Sequence, residues 1–200
     1  MTEKDKKFRD KEEGILRAAI KVFASQGYHR SSVADVAKEA GIAAGTIYIY
    51  FARKEELLIE MVNRYVGKHC RDLAVELAQQ PAGMARLREM IRLHLEFFER
   101  DRDLARVFQI HARELHPLIR TGFRPTLLEY FGGIERVLRE GMECGDFDPQ
   151  LDVRLARRFV FGALDEVVTS WVLSEKVYSL AGLLDSLFRM TEGAVRVRPA

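Results

Sequence analysis

The 200-residue chain contains few of the features that mark membrane, secreted or redox proteins. It has no apolar run of the roughly 18 or more residues that a membrane-spanning helix needs. The N-terminal segment, MTEKDKKFRDKEE, has no apolar core, so a secretory signal peptide is not expected. Cys70 and Cys144 are the only cysteines, and neither belongs to a CxxC pair, so a disulfide framework or a metal site is not expected. These absences predict a cytoplasmic protein without a membrane partner.

Motifs for common catalytic chemistries are also missing. The sequence has neither a Gly-rich phosphate loop nor a nucleophile elbow. A di-iron carboxylate bundle would carry glutamate three residues before histidine on two helices, and none of the five histidines has a glutamate at that position. An enzyme or metal carrier built on a helical bundle is therefore the competing class, and these absences count against it. We expect no cofactor.

The patterns that are present indicate an all-α protein of about nine helices. Hydrophobic residues make up 48% of the chain and charged residues 31%, as in soluble globular domains. No segment shows the alternation and turns of a strand series. Residues 1–54 hold 11 Lys and Arg against 7 Asp and Glu, whereas the whole chain has a net charge of only +2. We therefore divide the chain into a basic N-terminal unit at 1–54, where a DNA contact would lie, and a helical bundle at 55–200.

The segment from Ser32 to Phe51 predicts two short helices joined by a tight turn. Ser32 is a good N-cap, and Asp35 stands three residues later. Gly41 ends the first helix, and a second helix is expected from Ala44 to about Tyr50. Two such helices across a short turn containing glycine form the helix-turn-helix pattern, in which the second helix enters the major groove of DNA.

The second helix of this pair leaves Thr46, Tyr48 and Tyr50 on its outer face. Arg30 and Ser31 precede the pair and Lys54 follows it, and together they form a polar, basic rim suited to phosphate contacts. An ordinary helical hairpin in a helical protein is the alternative interpretation, and the basic rim counts against it.

Several features of the remaining chain bear on its organisation. A long helix is predicted from about 54 to 80, where it would link the two units, and Pro81-Ala82-Gly83 breaks the chain after it. In the helix predicted from 102 to about 115, Arg102, Arg106 and Arg113 share one stripe and His111 lies on the opposite, apolar face. A solvated arginine face and a core histidine are the plainer interpretations of both.

The segment from 150 to 173 is apolar nearly all round, so we expect it to be buried on more than one face. A second copy of the chain would cover one of these faces, and with the helix from 180 to 195 it would form a four-helix dimer interface. The residues predicted for this interface are Phe161, Gly162, Asp165, Val168, Trp171, Leu184 and Phe188.

The segment GYHRSSVADVAKEAGIAAGTIYIYFARKEELL, from Gly27 to Leu58, resembles the DNA-binding domain of TetR-family transcriptional repressors. This resemblance implies an all-α homodimer that binds palindromic operator DNA and takes a small effector in its C-terminal bundle. It also implies DNA contacts from Ser32, Gly45, Thr46, Tyr48, Tyr50 and Lys54. The chain departs from many members in having alanine at both 43 and 44, so base reading would depend on Thr46, Tyr48 and methyl contacts such as that of Ala44.

The segment from Leu151 to Ser174 resembles the corresponding helix of the fatty-acid-degradation repressors of the TetR family (FadR type), which long-chain acyl-CoA releases from DNA. This resemblance implies the same effector. Its acyl chain would contact phenylalanines and its head group arginines, and the residues expected there are Phe97, Phe98, Phe108, Phe123, Phe131, Phe159, Arg102, Arg106, Arg113 and Arg120, with His111 nearby. A repressor that responds to another hydrophobic molecule, for example in the control of an efflux pump, is the alternative function.

Overall fold

The computed structural model of the chain describes residues 2–111 and 116–197, where every regular element is helical apart from one isolated β bridge between Phe147 and Arg196. This confirms the all-α class. The helices are α1 (Glu3–Gln26), α2 (Val33–Glu39), α3 (Ala44–Ile47), α4 (Lys54–Met61), α5 (Gly67–Ala78), α6 (Met84–Arg100), α7 (Arg102–His111), α8 (Pro117–Glu143), α9 (Val153–Leu173) and α10 (Leu184–Val195). A 3-10 turn (Ala181–Leu183) precedes α10.

Helix α1 begins earlier than the sequence pattern suggests. The sequence predicts a polar, mobile segment at residues 1–10 and a helix that starts near Asp10, but α1 begins at Glu3. Thr2 and Asp5 form a reciprocal capping box, in which the backbone N–H of Asp5 donates to the Thr2 hydroxyl over 3.2 Å and that of Thr2 to the Asp5 carboxylate over 2.9 Å. Phe8 then stacks on Tyr50 with ring centroids 4.4 Å apart. This extra length ties α1 to the segment after α3.

Helices α1, α2 and α3 form the predicted helix-turn-helix unit. Ser32 caps α2 through a capping box with Asp35, and Gly41 ends it with a φ of 68°, a conformation that glycine adopts without a steric penalty. Helix α3 is shorter than expected and ends at Ile47, after which the chain turns through the backbone bonds from Ile49 to Thr46 and from Tyr50 to Ile47.

The long helix predicted from 54 to 80 is interrupted by a π-helical stretch at Val62–Val66, which we call the π segment. It follows α4 and precedes α5 with no residue between them, and it divides one predicted helix into two. Such π turns are rare and occur often at functional sites. The boundary that we place between residues 54 and 55 falls at the start of α4.

Helix α8 is longer and more continuous than its composition indicates. We expected Gly122 and Pro125 to bend or break it, but one helix extends from Pro117 to Glu143 with Pro125 inside it. Pro117 occupies the first turn, where the missing N–H costs nothing. Packing against α4, α5 and α9 holds the helix together where local propensity does not. The bundle core lies between α5, α6, α7, α8 and α9, and none of the helices within the described ranges is long and apolar enough to span a bilayer.

Candidate functional site

The first candidate surface is the outer side of α2 and α3. Arg30, Ser32, Ala44 and Gly45 are exposed there, and Tyr48 is 56% exposed. The hydroxyl of Ser32 donates to the Asp35 carboxylate over 2.6 Å, so the cap itself is already satisfied. These positions are open to a DNA backbone, as the sequence predicts.

Other predicted DNA contacts are partly or fully covered. Ser31 is 5% exposed and its hydroxyl donates to the carbonyl of Tyr28 over 2.9 Å, so its side chain supports the loop and is not available to a phosphate. Thr46 is half-buried beside a small cavity behind α3, and Tyr50 is half-buried against Phe8. Both residues therefore lie at the edge of the exposed surface, and their contact with DNA stays a prediction.

Lys54 is a candidate DNA contact, and it also has a structural role. Its ammonium group donates to the carbonyls of Tyr28 and Ser31 over 2.8 and 2.9 Å and lies 4.3 Å from the Tyr28 ring centroid. Two of its three N–H donors are thus used to close the loop before α2 onto the start of α4. The third donor is left for a phosphate oxygen.

Ile49 is a residue that sequence reasoning missed. It is 72% exposed on the side of the turn that carries Tyr48. The signal was present, because Ile49 stands two positions after the fully buried Ile47 and therefore points away from the core. An exposed isoleucine at this place offers a methyl surface of the kind that contacts thymine in a major groove.

The second candidate site is a narrow cavity in the centre of the bundle, which we call the central cavity. Its volume is about 10 Å³, which is about that of one water molecule. Five helical elements contribute to its apolar wall, which consists of Val66, Phe98, Phe108, Leu127 and Phe161.

The same cavity has a polar wall formed by His69, His94, Gln109, Tyr130 and Asp165. The Tyr130 hydroxyl and His94 Nδ1 are 2.6 Å apart, and the Thr169 hydroxyl donates to Gln109 over 3.0 Å. Burial lowers the pKa of His94 to about 3 and that of His69 to about 4, and it raises the pKa of Tyr130 well above its ordinary value. All three groups are therefore neutral at physiological pH, and they place uncharged hydrogen-bonding groups beside the apolar wall and the carboxyl group of Asp165.

The predicted ligand phenylalanines separate into three groups. Phe98 and Phe108 line the central cavity, and Phe131 packs edge-on against its lining residue Phe161 at 4.9 Å. Phe97 lies just outside it and stacks on His69 with centroids 4.0 Å apart. The remaining two behave differently: Phe123 is buried in the core away from every cavity found among the described residues, and Phe159 is 50% exposed on the outside of α9. Phe159 is therefore not a wall of this cavity.

The arginines predicted for the effector head group do not converge on the cavity. Arg102 donates to the carbonyls of Trp171 and Ser174 over 2.9 and 2.8 Å, and Arg106 donates to that of Val172 over 2.8 Å. Both thus cap the C-terminus of α9, whose last carbonyls have no intrahelical partners. Arg120 is exposed on α8. Arg113 and the side chain of His111 lie outside the described residues.

A larger cleft of about 620 Å³ lies between α1, α5 and α6 beside the central cavity. Its walls carry four cationic side chains that the sequence analysis did not select, namely Arg17, Lys68, Arg92 and Arg100. Each forms an ion pair with a carboxylate on or near the cleft, for example Arg17 with Asp101 at 2.9 Å. His69 lines both the cleft and the central cavity, so it marks the shortest route between them.

The predicted dimer-interface residues on α9 largely face inward. Val168, Trp171 and Asp165 are buried within the chain itself, so these three are not available to a partner subunit. Phe161 lines the central cavity and is half-buried. Gly162 is exposed, and Leu184 and Phe188 are half-buried. The outer face of α9 instead presents a row that we call the α9 stripe, consisting of Leu155, Phe159, Gly162 and Leu173.

The π segment connects the central cavity to α1. Val66 lines the cavity, while the preceding Tyr65 donates to Glu13 over 2.6 Å and Arg64 donates to Glu12 over 2.7 Å. The Arg17 guanidinium lies over the Tyr65 ring at 4.3 Å. Because α1 packs against α2, these contacts form a continuous connection between the cavity wall at Val66 and the helix-turn-helix unit.

Comparisons with known proteins match the N-terminal and the C-terminal part of the chain to two family models. Residues 15–61 match the family of bacterial regulatory proteins named for tetR, and residues 60–193 match the C-terminal region of YsiA-like proteins. The chain is 35% identical over 185 residues to the fatty acid metabolism regulator protein of Bacillus subtilis strain 168, covering 92% of this chain and 95% of that one.

The similar solved structures include two bacterial regulators called FadR. The fatty acid degradation regulator FadR of Bacillus halodurans is 34% identical with a TM-score of 0.88, covering 94% of this chain and 97% of its own. The transcriptional regulator FadR of Bacillus subtilis, solved in complex with stearoyl-CoA, is 33% identical with a TM-score of 0.86, covering 92% of this chain and 100% of its own.

Proposed function

The chain belongs to the TetR family of bacterial regulatory proteins, and from that premise we propose that it is a cytoplasmic repressor of fatty-acid degradation genes. Long-chain acyl-CoA is its effector and releases it from the operator. The observation that carries this proposal is the central cavity with its apolar wall, together with a relative, 33% identical over 92% of this chain, that was solved in complex with stearoyl-CoA.

The effector site is closed in this structure. A volume of about 10 Å³ accommodates no more than a water molecule, so an acyl chain can enter only if the surrounding helices separate. A ligand that requires an open bundle binds the open state more tightly than the closed one, and this difference in affinity is what shifts the protein between states. The closed bundle is the form that we assign to the DNA-bound repressor.

The two parts of acyl-CoA suit two adjoining parts of the molecule. The acyl chain takes the apolar wall of the central cavity, and the anionic head group takes the cleft beside His69, where Arg17, Lys68, Arg92 and Arg100 can exchange carboxylate partners for phosphates. Entry of the chain displaces Val66, and the π segment carries the displacement to α1 through Arg64 and Tyr65. A 100-fold loss of operator affinity needs a coupling free energy of about 2.7 kcal/mol, which is typical of allosteric proteins.

The repressor acts as a homodimer on palindromic DNA. Exposed leucines and a phenylalanine in the α9 stripe are the apolar surface that a second copy covers, with Leu184 and Phe188 of α10 at its side. A twofold dimer presents two recognition helices to two half-sites one turn of DNA apart. At the DNA, Arg30, Ser32 and Lys54 contact phosphate, while Ala44, Gly45, Tyr48 and Ile49 face the groove, with Thr46 and Tyr50 at the edge of that surface.

A DNA-shift titration tests the function. A duplex is first selected from a random pool by the purified protein, and palmitoyl-CoA, palmitate and CoA are then added separately. We expect release by palmitoyl-CoA at concentrations at which palmitate and CoA have no effect. Release by none of the three would contradict the acyl-CoA assignment and favour the alternative, a TetR-family repressor with another hydrophobic effector, such as a drug removed by an efflux pump.

A further inference from the structure

His94 carries a ring nitrogen without a hydrogen bond of normal geometry in the closed bundle, although the Leu164 backbone lies near enough to the imidazole to oppose the lowering of its pKa. The residue is 3% exposed, it lines the central cavity, and its Nε2 atom is buried without a hydrogen-bond partner among the residues that the structure describes. A buried polar atom of this kind costs free energy, because burial removes the water that would otherwise bind it. The central cavity, which His94 lines, is a space in which a ligand could supply the missing partner.

Tyr130 determines which ring nitrogen of His94 carries the proton. The tyrosine hydroxyl and Nδ1 are 2.6 Å apart, and one of them must donate. If the hydroxyl donates, a single N–H at Nε2 is left unsatisfied; if Nδ1 donates, both the tyrosine proton and the Nε2 lone pair are left unsatisfied. The first arrangement leaves fewer hydrogen-bonding groups unsatisfied, so Nε2 bears the proton and acts as a donor.

The surroundings of this donor define the group that it can bind. The imidazole is neutral, since burial lowers the pKa of His94 to about 3 even though the nearby Leu164 carbonyl acts in the opposite direction. Asp165 lines the same cavity, and two anionic groups side by side in a buried site are disfavoured. The partner is therefore an uncharged acceptor on a mainly apolar molecule, and a carbonyl oxygen is such a group.

We infer that His94 Nε2–H binds the thioester carbonyl oxygen of the acyl-CoA effector, with Tyr130 as the residue that positions the imidazole. This inference rests on the proposed function and adds to it the atom by which an activated acyl group is distinguished from a plain hydrocarbon. His69 supports the placement, because it lines both the central cavity and the cleft, and its Nε2 is also buried without a described partner. The carbonyl thus lies near the inner end of the cleft, with the chain beyond it.

The experiment compares palmitoyl-CoA with S-hexadecyl-CoA, a thioether of the same chain length that lacks the carbonyl. The full-length protein is bound to its selected duplex, and the effector concentration for half-release is measured for both compounds. We expect the thioether to need roughly tenfold more than the thioester, the ratio that one hydrogen bond between neutral groups typically provides.

Two variants at one position separate the donor from the volume of the side chain. H94Q keeps an N–H group at a similar reach and should retain a large part of the tenfold ratio, whereas H94L should bring the ratio close to one. Y130F should narrow the ratio less than H94L, because it only frees the imidazole to change tautomer. H116Q, at an exposed histidine before α8, is the matched control and should leave the ratio unchanged.

The outcomes distinguish this inference from the function on which it rests. Equal half-release concentrations for the two compounds with the unmodified protein would overturn the carbonyl contact and leave the acyl-CoA repressor standing. Release by neither compound would overturn the proposed function itself. A tenfold ratio that H94L retains while still binding operator would assign the carbonyl to another donor and likewise overturn the role of His94. If H94L does not fold, the ratio of half-release concentrations is compared between the unmodified protein, H94Q and Y130F. An unchanged ratio in both variants would then overturn the role of His94.

Discussion

At the scale of single residues, Lys54 is the side chain that closes the DNA-binding unit. Its two hydrogen bonds to the carbonyls of Tyr28 and Ser31 link the loop before α2 to the start of α4. Family resemblance identified Lys54 as a DNA contact, but it could not reveal that the same ammonium group first satisfies the backbone of this chain. Arg30, two residues after Tyr28, is exposed and bonds only to the Gln26 carbonyl among described groups.

The two cations should therefore respond differently to neutralisation. K54M should lower the free energy of unfolding by about 1–3 kcal/mol, because two half-buried carbonyls lose a charged donor. R30M should leave stability unchanged and reduce the slope of log affinity against log salt by about 1, as expected of a phosphate contact. Urea denaturation and salt titrations of operator binding measure both. Equal stability of K54M and the unmodified protein would contradict the structural role of Lys54.

The buried histidines give the protein a specific sensitivity to acid. Their pKa values in the folded state are about 3 for His94 and about 4 for His69, against an ordinary value of 6.5. Below pH 6.5 the unfolded chain binds protons at these sites and the folded chain does not, so stability is full above that pH and falls as the pH decreases.

H94Q removes one of the two sites and isolates its effect. Between the ordinary pKa and the folded pKa, one buried histidine contributes about 1.4 kcal/mol per pH unit to the slope of unfolding free energy against pH. We expect the slope for H94Q to be smaller than that of the unmodified protein by this amount in urea titrations below pH 6, with H116Q as control. Parallel slopes would show that His94 titrates normally in the folded state.

At the scale of elements, the contact between α4 and α8 joins the helix that follows the DNA-binding unit to the effector bundle. Gly122 allows this approach, since a Cβ atom there would lie 2.7 Å from the side chain of Ile59. Asn63 of the π segment donates to the Gly122 carbonyl over 3.2 Å and accepts from the Thr126 hydroxyl over 2.6 Å. Steric and polar contacts thus meet on one turn of α8.

A double-mutant cycle tests this close packing. G122A should be destabilising because the added methyl group collides with Ile59, whose β-branched side chain has little freedom to move. In an I59A background the collision is absent, so the cost of G122A should be lower by about 1–3 kcal/mol. Urea denaturation of the four proteins gives the coupling energy. Strictly additive effects would show that α4 and α8 can separate without strain.

Helix positions were largely predictable, and the exceptions have physical causes. Apolar periodicity and the caps at Ser32 and Gly41 located the helix-turn-helix unit, because those signals are local. The early start of α1 was missed because its first turns are polar, and because Asp10 and Glu13 offered a second capping start further along the chain than Thr2 and Asp5. The π segment has no comparable signal, since VNRYV contains nothing that ordinary α-helix would exclude. Its form depends on tertiary contacts of Asn63, Arg64 and Tyr65.

At the scale of the whole molecule, one helix determines both the core and the candidate dimer surface. Helix α9 is apolar nearly all round, so periodicity could indicate that two faces are buried but not which face belongs to the chain's own core. The structure answers this for Val168 and Trp171, which are inside, and for Phe159, which is outside. The same ambiguity affected Arg102 and Arg106, because a stripe of arginines can face a ligand or the end of a neighbouring helix.

The α9 stripe yields a prediction about assembly. F159E places a charge in the α9 stripe one helical turn from Leu155, so a dimer that covers this part of the stripe should dissociate. Sedimentation should show a monomer, and affinity for a full palindrome should fall to that for a single half-site. V75E, at an apolar residue that is 63% exposed on α5, is the matched control and should remain dimeric. A dimeric F159E protein would remove α9 from the interface.

The π segment also has a consequence for how relatives of this protein can diverge. An α-helix turns by about 100° per residue. A π turn contains one residue more than the α-helical turn that it replaces, so it changes the direction of every side chain after it. Deletion of a single residue between Met61 and Gly67 would restore a regular helix and rotate α5, with His69 and Cys70, against the DNA-binding unit. Evolution can thus reset the orientation of the effector bundle in one step, by changing the length of the chain and no side chain at all. Insertions and deletions at this point, more than substitutions in the cavity, are where related regulators with inverted or lost responses should differ.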